Sequence, residues 1–372
     1  MSHFGDAQAC ARSRQADRRA EELGAWWSDL DAKLSTSQIP GLYGVRAVAV
    51  GLVIAYHFGF EINGAMGVQI FFTLSGFLIT TLLLREIDAT GTISFREFYI
   101  RRTKRIFPAL YVFLVVCVAI LLLRRREVPW PDVIAASLYV QNYLAAIAHR
   151  PDTVVSHTWS LAIEEQFYLL WPIVAYRFRR DTRSMAKALV ALIAVAWAAR
   201  QVLHYGFDVG QSYIYHAFET RMDQLAVGCL LAVLLRERML YGLWRFACAS
   251  PIAPALVIAA LAASSLLHGS NAYRFTVGYT IEPVLTAVLL VQLIVLSGHR
   301  VWGLFNSAPM LFLGRISYSL YLYQQITLYT ARRLTADYPV VVQFGFAVAC
   351  TVLAAWASYT FVEQRFRGAR AS

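Results

Sequence analysis

Residues 41–60, GLYGVRAVAVGLVIAYHFGF, form an apolar stretch as long as a bilayer core is thick, yet they contain an arginine and a histidine. A membrane-spanning helix needs about 20 residues, because the hydrocarbon core measures roughly 30 Å. Arg46 and His57 are eleven residues apart. At about 100° and 1.5 Å per residue, that spacing predicts one helix face that carries both side chains, roughly 16 Å apart along the axis.

The composition of the whole chain points to the same class of protein. Of its 372 residues, 58% are hydrophobic and 15% are charged, whereas soluble proteins have about 45–50% and about 25%. An ordinary soluble globular protein is therefore excluded, and 14% aromatic residues exclude a disordered chain. The net charge of +11 fits basic cytoplasmic loops better than nucleic-acid binding, so we expect no nucleic-acid partner.

The apolar segments predict an all-α, polytopic membrane bundle of about ten transmembrane helices with no soluble catalytic domain, because backbone polar groups in lipid must be paired internally. The predicted spans are 42–60, 66–84, 106–123, 161–176, 185–203, 222–235, 251–268, 276–298, 310–330 and 340–362. Residues 133–147 are too short to cross and are predicted as a re-entrant or interfacial helix.

The ends of the chain are predicted to lie outside the bundle. Residues 1–40 are expected to form a cytosolic extension, amphipathic near Trp26, Trp27 and Leu30 and lying against the membrane surface. Residues 41–366 form the membrane domain, and 367–372 a cytosolic tail. Arginines precede the first apolar stretch, so no cleavable signal peptide is expected.

The distribution of basic residues predicts the orientation. With the N-terminus in the cytosol, 23 of the 34 Lys and Arg residues fall on the cytosolic side and nine on the other. This bias indicates a multi-pass membrane protein with both termini cytosolic. The run Arg124, Arg125 and Arg126 opposes the bias, because this topology puts it outside.

Other common types of site are not indicated. The five cysteines are odd in number and lack C-x-x-C spacing, so neither a disulfide framework nor a metal site is predicted. No G-x-S-x-G, P-loop, H-E-x-x-H or Rossmann pattern stands in a suitable context. A serine hydrolase and an ATP-driven transporter are therefore disfavoured.

Two clusters join Arg46 and His57 as candidate site residues. In FREFYIRRTKRIFPALY (95–111), Arg102 and Arg105 share one helix face at the cytosolic end of the third span. They suit a phosphate or pyrophosphate ligand. In HTWSLAIEEQFYLLWP (157–172), Glu164 and Glu165 are expected at the outer entrance of the fourth span, facing a wet or protein-lined cavity.

Each candidate also has a purely structural interpretation. His57 could be a satisfied core histidine, Arg46 an interfacial anchor, the arginine pair topology-setting charge, and Glu164 a helix-capping group. Small residues in FFTLSGFLIT (71–80), at Gly228 and at Gly314 are expected to permit close helix packing.

Six ordered blocks together resemble the acyltransferase-3 family of bacterial integral membrane O-acyltransferases, over about residues 40–366. The blocks are Gly44-Val-Arg46-Ala-x-Ala with His57, Phe71-Phe72-x-Leu-Ser75-Gly76-Phe77, Phe98-Tyr-x-Arg-Arg102-x-x-Arg105-Ile-x-Pro108, Trp159-Ser160-Leu-x-x-Glu164, Arg221-x-Asp223-x-Leu-x-x-Gly228 and Gly314-x-x-Ser317-Tyr-x-Leu-Tyr-Leu. The chain departs from the family at Tyr43, Gln69 and Gln324, and no proline follows Glu363. These changes bear on substrate choice more than on chemistry.

The resemblance implies transfer of an acyl group, most often acetyl, from cytosolic acyl-CoA to a hydroxyl of a carbohydrate, glycolipid or macrolide acceptor. Acyl-CoA would be a co-substrate, with no permanently bound cofactor and with membrane lipids as surroundings. Carried over, the catalytic positions are His57, Glu164 and Arg46, and the CoA-binding positions are Arg102, Arg105 and Arg46.

On this interpretation His57 acts as general base or transient acyl carrier, and Glu164 orients the site or relays protons. An extracytoplasmic hydrolase-like domain of some relatives is not expected, so the acceptor would arrive directly or through a separate protein. A continuous polar tunnel would join the two leaflets. The alternative is a transporter or flippase of a glycolipid or small solute, in which the same polar face lines a pathway and no bond is made.

Overall fold

The structure, a computed structural model, describes residues 21–36, 38–148, 151–207 and 209–367, and this part of the chain contains helices and no strand. The all-helical class is therefore confirmed. After a helix over residues 21–35, the next α-helices are α1 (Leu42–Phe58), α2 (Gly64–Thr90), α3 (Phe95–Leu123), α4 (Trp130–Ser137), α5 (Gln141–Ala148), α6 (Trp159–Arg177), α7 (Thr182–Gln201), α8 (Gln211–His216) and α9 (Met222–Arg236). The remaining ones are α10 (Tyr241–Ala247), α11 (Ala253–Leu266), α12 (Asn271–Tyr273), α13 (Tyr279–Val295), α14 (Ala308–Arg315), α15 (Ser317–Leu334), α16 (Val340–Ser358) and α17 (Gln364–Arg367).

Short 3₁₀ and π segments connect or extend these helices. The 3₁₀ turns are Ser156–Thr158, Leu267–Gly269 and Trp302–Asn306, and the π segments are Val202–Gly206, Arg274–Gly278 and Tyr359–Glu363.

At the start of α7, the Asp181 carboxylate accepts a 3.0 Å hydrogen bond from the backbone N–H of Ser184. Hydrogen bonding from Ser184 lowers the pKa of that carboxyl below its usual range.

Five helical segments of the described chain are long and apolar enough to cross a bilayer. They are Gly64–Thr90, Phe95–Leu123, Thr182–Gly206, Asn271–Val295 and Val340–Phe366. Two shorter apolar helices, Leu42–Phe58 and Ala253–Gly269, accompany them. The membrane class is therefore supported, while the count of about ten spans stays a prediction.

The predicted small-residue packing is found where α2 crosses α9. A Cβ atom on Gly76 would overlap the carbonyl oxygen of Leu225, and one on Gly228 would overlap the carbonyl oxygen of Thr73. The two helix backbones therefore touch directly, which only glycine permits at these positions. Gly314 meets the Tyr43 carbonyl in the same way.

The segment predicted as one helix over 133–147 is two short helices, so that prediction is wrong in detail. The chain breaks between α4 and α5 at Tyr139, whose φ of 55° is left-handed and ends helical geometry. Beyond α5 the chain turns inward, since the His157 ring contacts the ring of Phe113, at 5.7 Å between centroids, close to the middle of α3. Helix α6 therefore begins inside the bundle.

The amphipathic helix predicted near Trp27 is present, over residues 21–35, but protein rather than lipid covers its apolar face. Trp27 is 1% exposed and Leu30 is fully buried. Trp26 packs edge-on against Tyr241 of α10, at 5.6 Å between ring centroids. The Lys33 ammonium donates a 2.8 Å hydrogen bond to the Val295 carbonyl at the end of α13. Residues 1–20 and 368–372 lie outside the described part.

Candidate active site

Helix α1 carries Arg46 and His57, but these side chains line two different cavities. The arginine cavity has a volume of about 120 Å³ and is bounded by α1, α2, α3, α6 and α15. Its polar lining comprises Arg46, Ser75, Arg102, Arg105, Ser160, Glu164, Glu165, Tyr168, Ser317, Tyr318 and Tyr321. The histidine cavity has a volume of about 890 Å³, with His57 in its wall.

Arg102 is held in a fixed orientation within the arginine cavity. Its Nη2 and Nε atoms lie 2.9 and 3.1 Å from Oε1 of Glu165. Its guanidinium carbon is 3.4 Å from the centre of the Tyr168 ring, and Nη2 is 3.9 Å from Oε2 of Glu164. Arg102 therefore already has an acidic partner, and an anionic ligand would have to share this guanidinium with Glu165.

The other polar groups of the arginine cavity come from five different helices. Nε of Arg46 donates a 3.1 Å hydrogen bond to Oγ of Ser317. Oγ of Ser75 donates a 3.1 Å hydrogen bond to Oε1 of Glu164. Arg105 is exposed, one turn before the buried Ala109 in α3. Three guanidinium groups and two carboxylates thus share the cavity, and their excess positive charge favours an anion.

The predicted position of Glu164 is wrong. The sequence suggested the outer end of the fourth span, on the side of His57, but Glu164 lies beside Arg102 in the arginine cavity. The reason is that α6 begins inside the bundle rather than at its surface. Tyr99 of α3 donates its hydroxyl to the Leu169 carbonyl of α6 at 2.8 Å, so the two helices run antiparallel and bring the glutamates to the arginines. The catalytic role of Glu164 stays a prediction.

The histidine cavity surrounds His57 with both polar and basic groups. Asp152, Gln325 and several arginines share its wall. Nδ1 of His57 is buried, and the backbone of Val53 and the amide of Gln324 lie beside the imidazole. An imidazole in the wall of a cavity can take part in proton transfer.

A hydrogen-bonded layer of residues connects the lining of one cavity with that of the other. Oγ of Ser160 lies 2.6 Å from Oη of Tyr321, and both residues line the arginine cavity. The Tyr321 hydroxyl donates to the His157 carbonyl at 2.8 Å. Nδ1 of His157 lies 3.0 Å from Oε1 of Gln325, which lines the histidine cavity. Among the described residues, the continuous tunnel expected from the sequence is thus two cavities with this layer between them.

The sequence pointed to Glu164, Glu165 and the neighbouring Ser160, but it assigned no role to His157, Tyr321 or Gln325. Glu165 directly follows Glu164, and His157 begins the quoted 157–172 stretch. The useful signal was the density of polar residues in that stretch, which is unusual in a membrane helix. Their individual partners follow from the inward start of α6, which the sequence does not reveal.

The Arg221-x-Asp223 block lies outside both cavities. Oδ2 of Asp223 is 2.7 Å from Nη2 of Arg200, and the side chains are 1% and 0% exposed. The Arg221 guanidinium lies 4.0 Å from the centre of the Tyr279 ring and 5.2 Å from that of Tyr215. These contacts join α7, α8, α13 and the start of α9.

The fold and the two cavities define a class: a helical membrane protein with charged groups enclosed at one site and a histidine at another. The family model described as an acyltransferase domain (acyltransferase-3) matches residues 39–360. The chain therefore belongs to the acyltransferase-3 family, as its sequence blocks predicted.

Curated relatives carry acetyltransferase names. The "Peptidoglycan O-acetyltransferase OatA" of Listeria monocytogenes is 30% identical over 366 residues, which cover 90% of this chain and 57% of that protein. The "Putative O-acetyltransferase SACOL0978" of Staphylococcus aureus is 30% identical over 88% of this chain and 57% of its own length. The "Putative peptidoglycan O-acetyltransferase YrhL" of Bacillus subtilis is 31% identical over 88% and 55%. The chain thus spans little more than half of each relative, and no solved structure matches it.

Proposed function

We propose that this protein transfers an acetyl group from cytosolic acetyl-CoA to a hydroxyl of a carbohydrate acceptor across the bacterial inner membrane, with both termini in the cytosol. The observation that carries this proposal is that one helix, α1, places Arg46 in an arginine-rich cavity and His57 in a separate, wider cavity. A donor and an acceptor can then approach one helix from two directions. The name of the Listeria relative supports a sugar acceptor.

The arginine cavity is the proposed donor site. Arg46, Arg102 and Arg105 would bind the phosphates of CoA, because guanidinium groups form paired hydrogen bonds with phosphate oxygens. A cavity of about 120 Å³ is far too small for a whole CoA molecule. The nucleotide would therefore stay at the exposed Arg105 end, while the thioester end enters toward Ser160 and Tyr321. Glu164, hydrogen-bonded by Ser75, orients this end of the site.

The histidine cavity is the proposed acceptor site. As general base, neutral His57 takes the proton of the acceptor hydroxyl while the hydroxyl oxygen attacks the thioester carbonyl. The carbon–sulfur bond then breaks, and the CoA thiolate leaves and receives a proton. As transient carrier, His57 would instead take the acetyl group from CoA and pass it to the hydroxyl. Either route needs the layer formed by Tyr321, His157 and Gln325 to shift so that the thioester end of CoA reaches His57.

Substitution of His57 tests the proposal. His57→Ala should lower acceptor-dependent acetyl transfer by a factor of about 100 or more, the usual contribution of general base catalysis. The measurement is the release of free thiol from acetyl-CoA by purified protein, with and without soluble peptidoglycan fragments. Binding of CoA, measured by calorimetry, should stay within about twofold.

The control is His299→Ala, because His299 is exposed and lines neither cavity. Unchanged turnover in His57→Ala would refute the assignment of His57. A wild-type protein that moves a glycan or solute across vesicles without forming an acetyl ester would instead favour the transporter or flippase alternative.

A further inference from the structure

Four arginines gather around the cavity that contains His57. Arg124 and Arg126 follow α3, and Arg332 and Arg333 belong to the last turn of α15. All four side chains are exposed, and none of them makes an ion pair with a carboxylate of the described residues.

Acidic groups balance only part of this charge. Glu127 and Asp152 are the carboxylates in the described lining of the cavity, against four guanidinium groups. Arg332 and Arg333 instead lie near aromatic rings, 5.3 Å from the centre of Phe58 and 4.5 Å from that of Tyr329. The cavity therefore has a net positive charge within low-dielectric walls, which concentrate its field.

The position of these arginines is also opposite to the one that the positive-inside rule favours. In the orientation proposed above, the cavity opens on the side that holds nine of the 34 basic residues, and four of those nine line it. Orientation signals require arginines on the opposite side. Their grouping around the His57 cavity therefore has a local cause, and the binding of anions is the chemistry to which guanidinium groups are best suited.

We propose that the histidine cavity selects acceptors that carry a carboxylate or a phosphate close to the hydroxyl to be acetylated. The proposal rests on the proposed function in one respect, namely that the molecule bound there is the acetyl acceptor. The anion pairs with guanidinium groups at the rim, and this orients the neighbouring hydroxyl toward His57. An uncharged sugar of the same shape binds but lacks that anchor.

A binding measurement tests the charge preference without any need for turnover. The protein is placed in nanodiscs of phosphatidylcholine, a zwitterionic lipid with no net charge, and fluorescence anisotropy follows a labelled peptidoglycan tetrasaccharide with free lactyl carboxylates. Its matched probe is the same tetrasaccharide with those groups converted to carboxamides. We expect the carboxylate form to bind about tenfold more tightly, since several exposed ion pairs each contribute a fraction of this preference.

Two double variants show where the preference arises. Arg124→Gln with Arg332→Gln should bring the two probes to within about twofold of one another. Arg96→Gln with Arg183→Gln removes the same charge from exposed arginines outside the cavity and should leave the preference unchanged. Equal affinity of the wild-type protein for both probes overturns the proposal, and so does a preference that survives in the first double variant.

Anionic lipid head groups could also bind these arginines through their phosphates. A second experiment therefore distinguishes a lipid from a glycan as the occupant of the cavity. The measurement is repeated in nanodiscs that contain phosphatidylglycerol. A preference that persists supports an acceptor site, whereas its loss identifies lipid as the occupant and overturns the proposal. A carboxylate preference in a protein that transfers no acetyl group would support the anion site while refuting the proposed function.

Discussion

At the scale of single residues, the pairing of Arg102 decides what the arginine cavity can bind. Glu165 accepts two hydrogen bonds from this guanidinium, and the centre of the Tyr168 ring lies 3.4 Å from its carbon atom. The guanidinium thus contacts a carboxylate and an aromatic ring at once, so charge alone does not explain the presence of arginine. A lysine would keep the charge and lose both the fork and the stacking surface.

Arg102→Lys should therefore weaken CoA binding by about tenfold, the loss of one charged hydrogen bond. Calorimetric titration of the purified protein with CoA measures this change. The neighbouring Arg101→Lys is the matched control, because Arg101 pairs with the exposed Glu97 and lines neither cavity. Equal weakening in both variants would show that Arg102 has no special position.

A second residue-scale prediction concerns the buried ion pair between Arg200 and Asp223. Asp223→Ala leaves a buried guanidinium without its charge partner and should lower the free energy of unfolding by about 3–5 kcal/mol. Thermal unfolding in detergent reports the loss. Asp31→Ala removes an exposed partner of Arg238 and should change stability by less than about 1 kcal/mol. Similar melting temperatures for the two variants would contradict this account.

At the scale of helices, the direct contact of α2 with α9 depends on the absence of side chains at two glycines. A methyl group at Gly228 meets the Thr73 carbonyl and the Phe77 backbone nitrogen, and neither can move without shifting α2. The sequence indicated this use of small residues correctly, because interfaces between membrane helices are enriched in them.

Gly228→Ala should destabilise the fold by roughly 1–3 kcal/mol through overpacking. Gly242→Ala in α10 is the control, since nothing lies within 4 Å of its added methyl group. That control should be neutral or slightly stabilising, because alanine favours helix more than glycine does. Circular dichroism melts of both variants in one detergent compare them, and a Gly228→Ala protein as stable as the wild type would disprove the close contact.

The sequence predicted the helical class, the residues of α1 and the grouping of Arg102 with Arg105 in one cavity. It did not predict the partner of Arg102 or the position of Glu164. Helix periodicity reports which residues share a face, but not the depth at which a helix begins. Helix α6 starts inside the bundle only because the chain from α5 turns inward, and that path depends on tertiary packing around Phe113 and His157.

At the scale of the whole molecule, the two cavities should open to opposite compartments. Cysteines introduced at Lys104, near the arginine cavity, and at Arg125, between two arginines of the histidine cavity, test this arrangement. A membrane-impermeant maleimide should label Arg125→Cys in intact spheroplasts and Lys104→Cys only after the membrane is opened. Labelling of both cysteines in intact spheroplasts would contradict the proposed orientation.

The hydrogen-bonded layer between the cavities bears on how a cell keeps its proton gradient. This layer consists of Ser160, Tyr321, His157 and Gln325. A bilayer that stores a proton gradient cannot tolerate a permanently wet hole, and yet the proposed reaction joins a cytosolic donor to an acceptor on the other side. If only the thin thioester arm of the donor enters this seal, while its nucleotide stays in the cytosol, the acetyl group changes partners without a leak of ions.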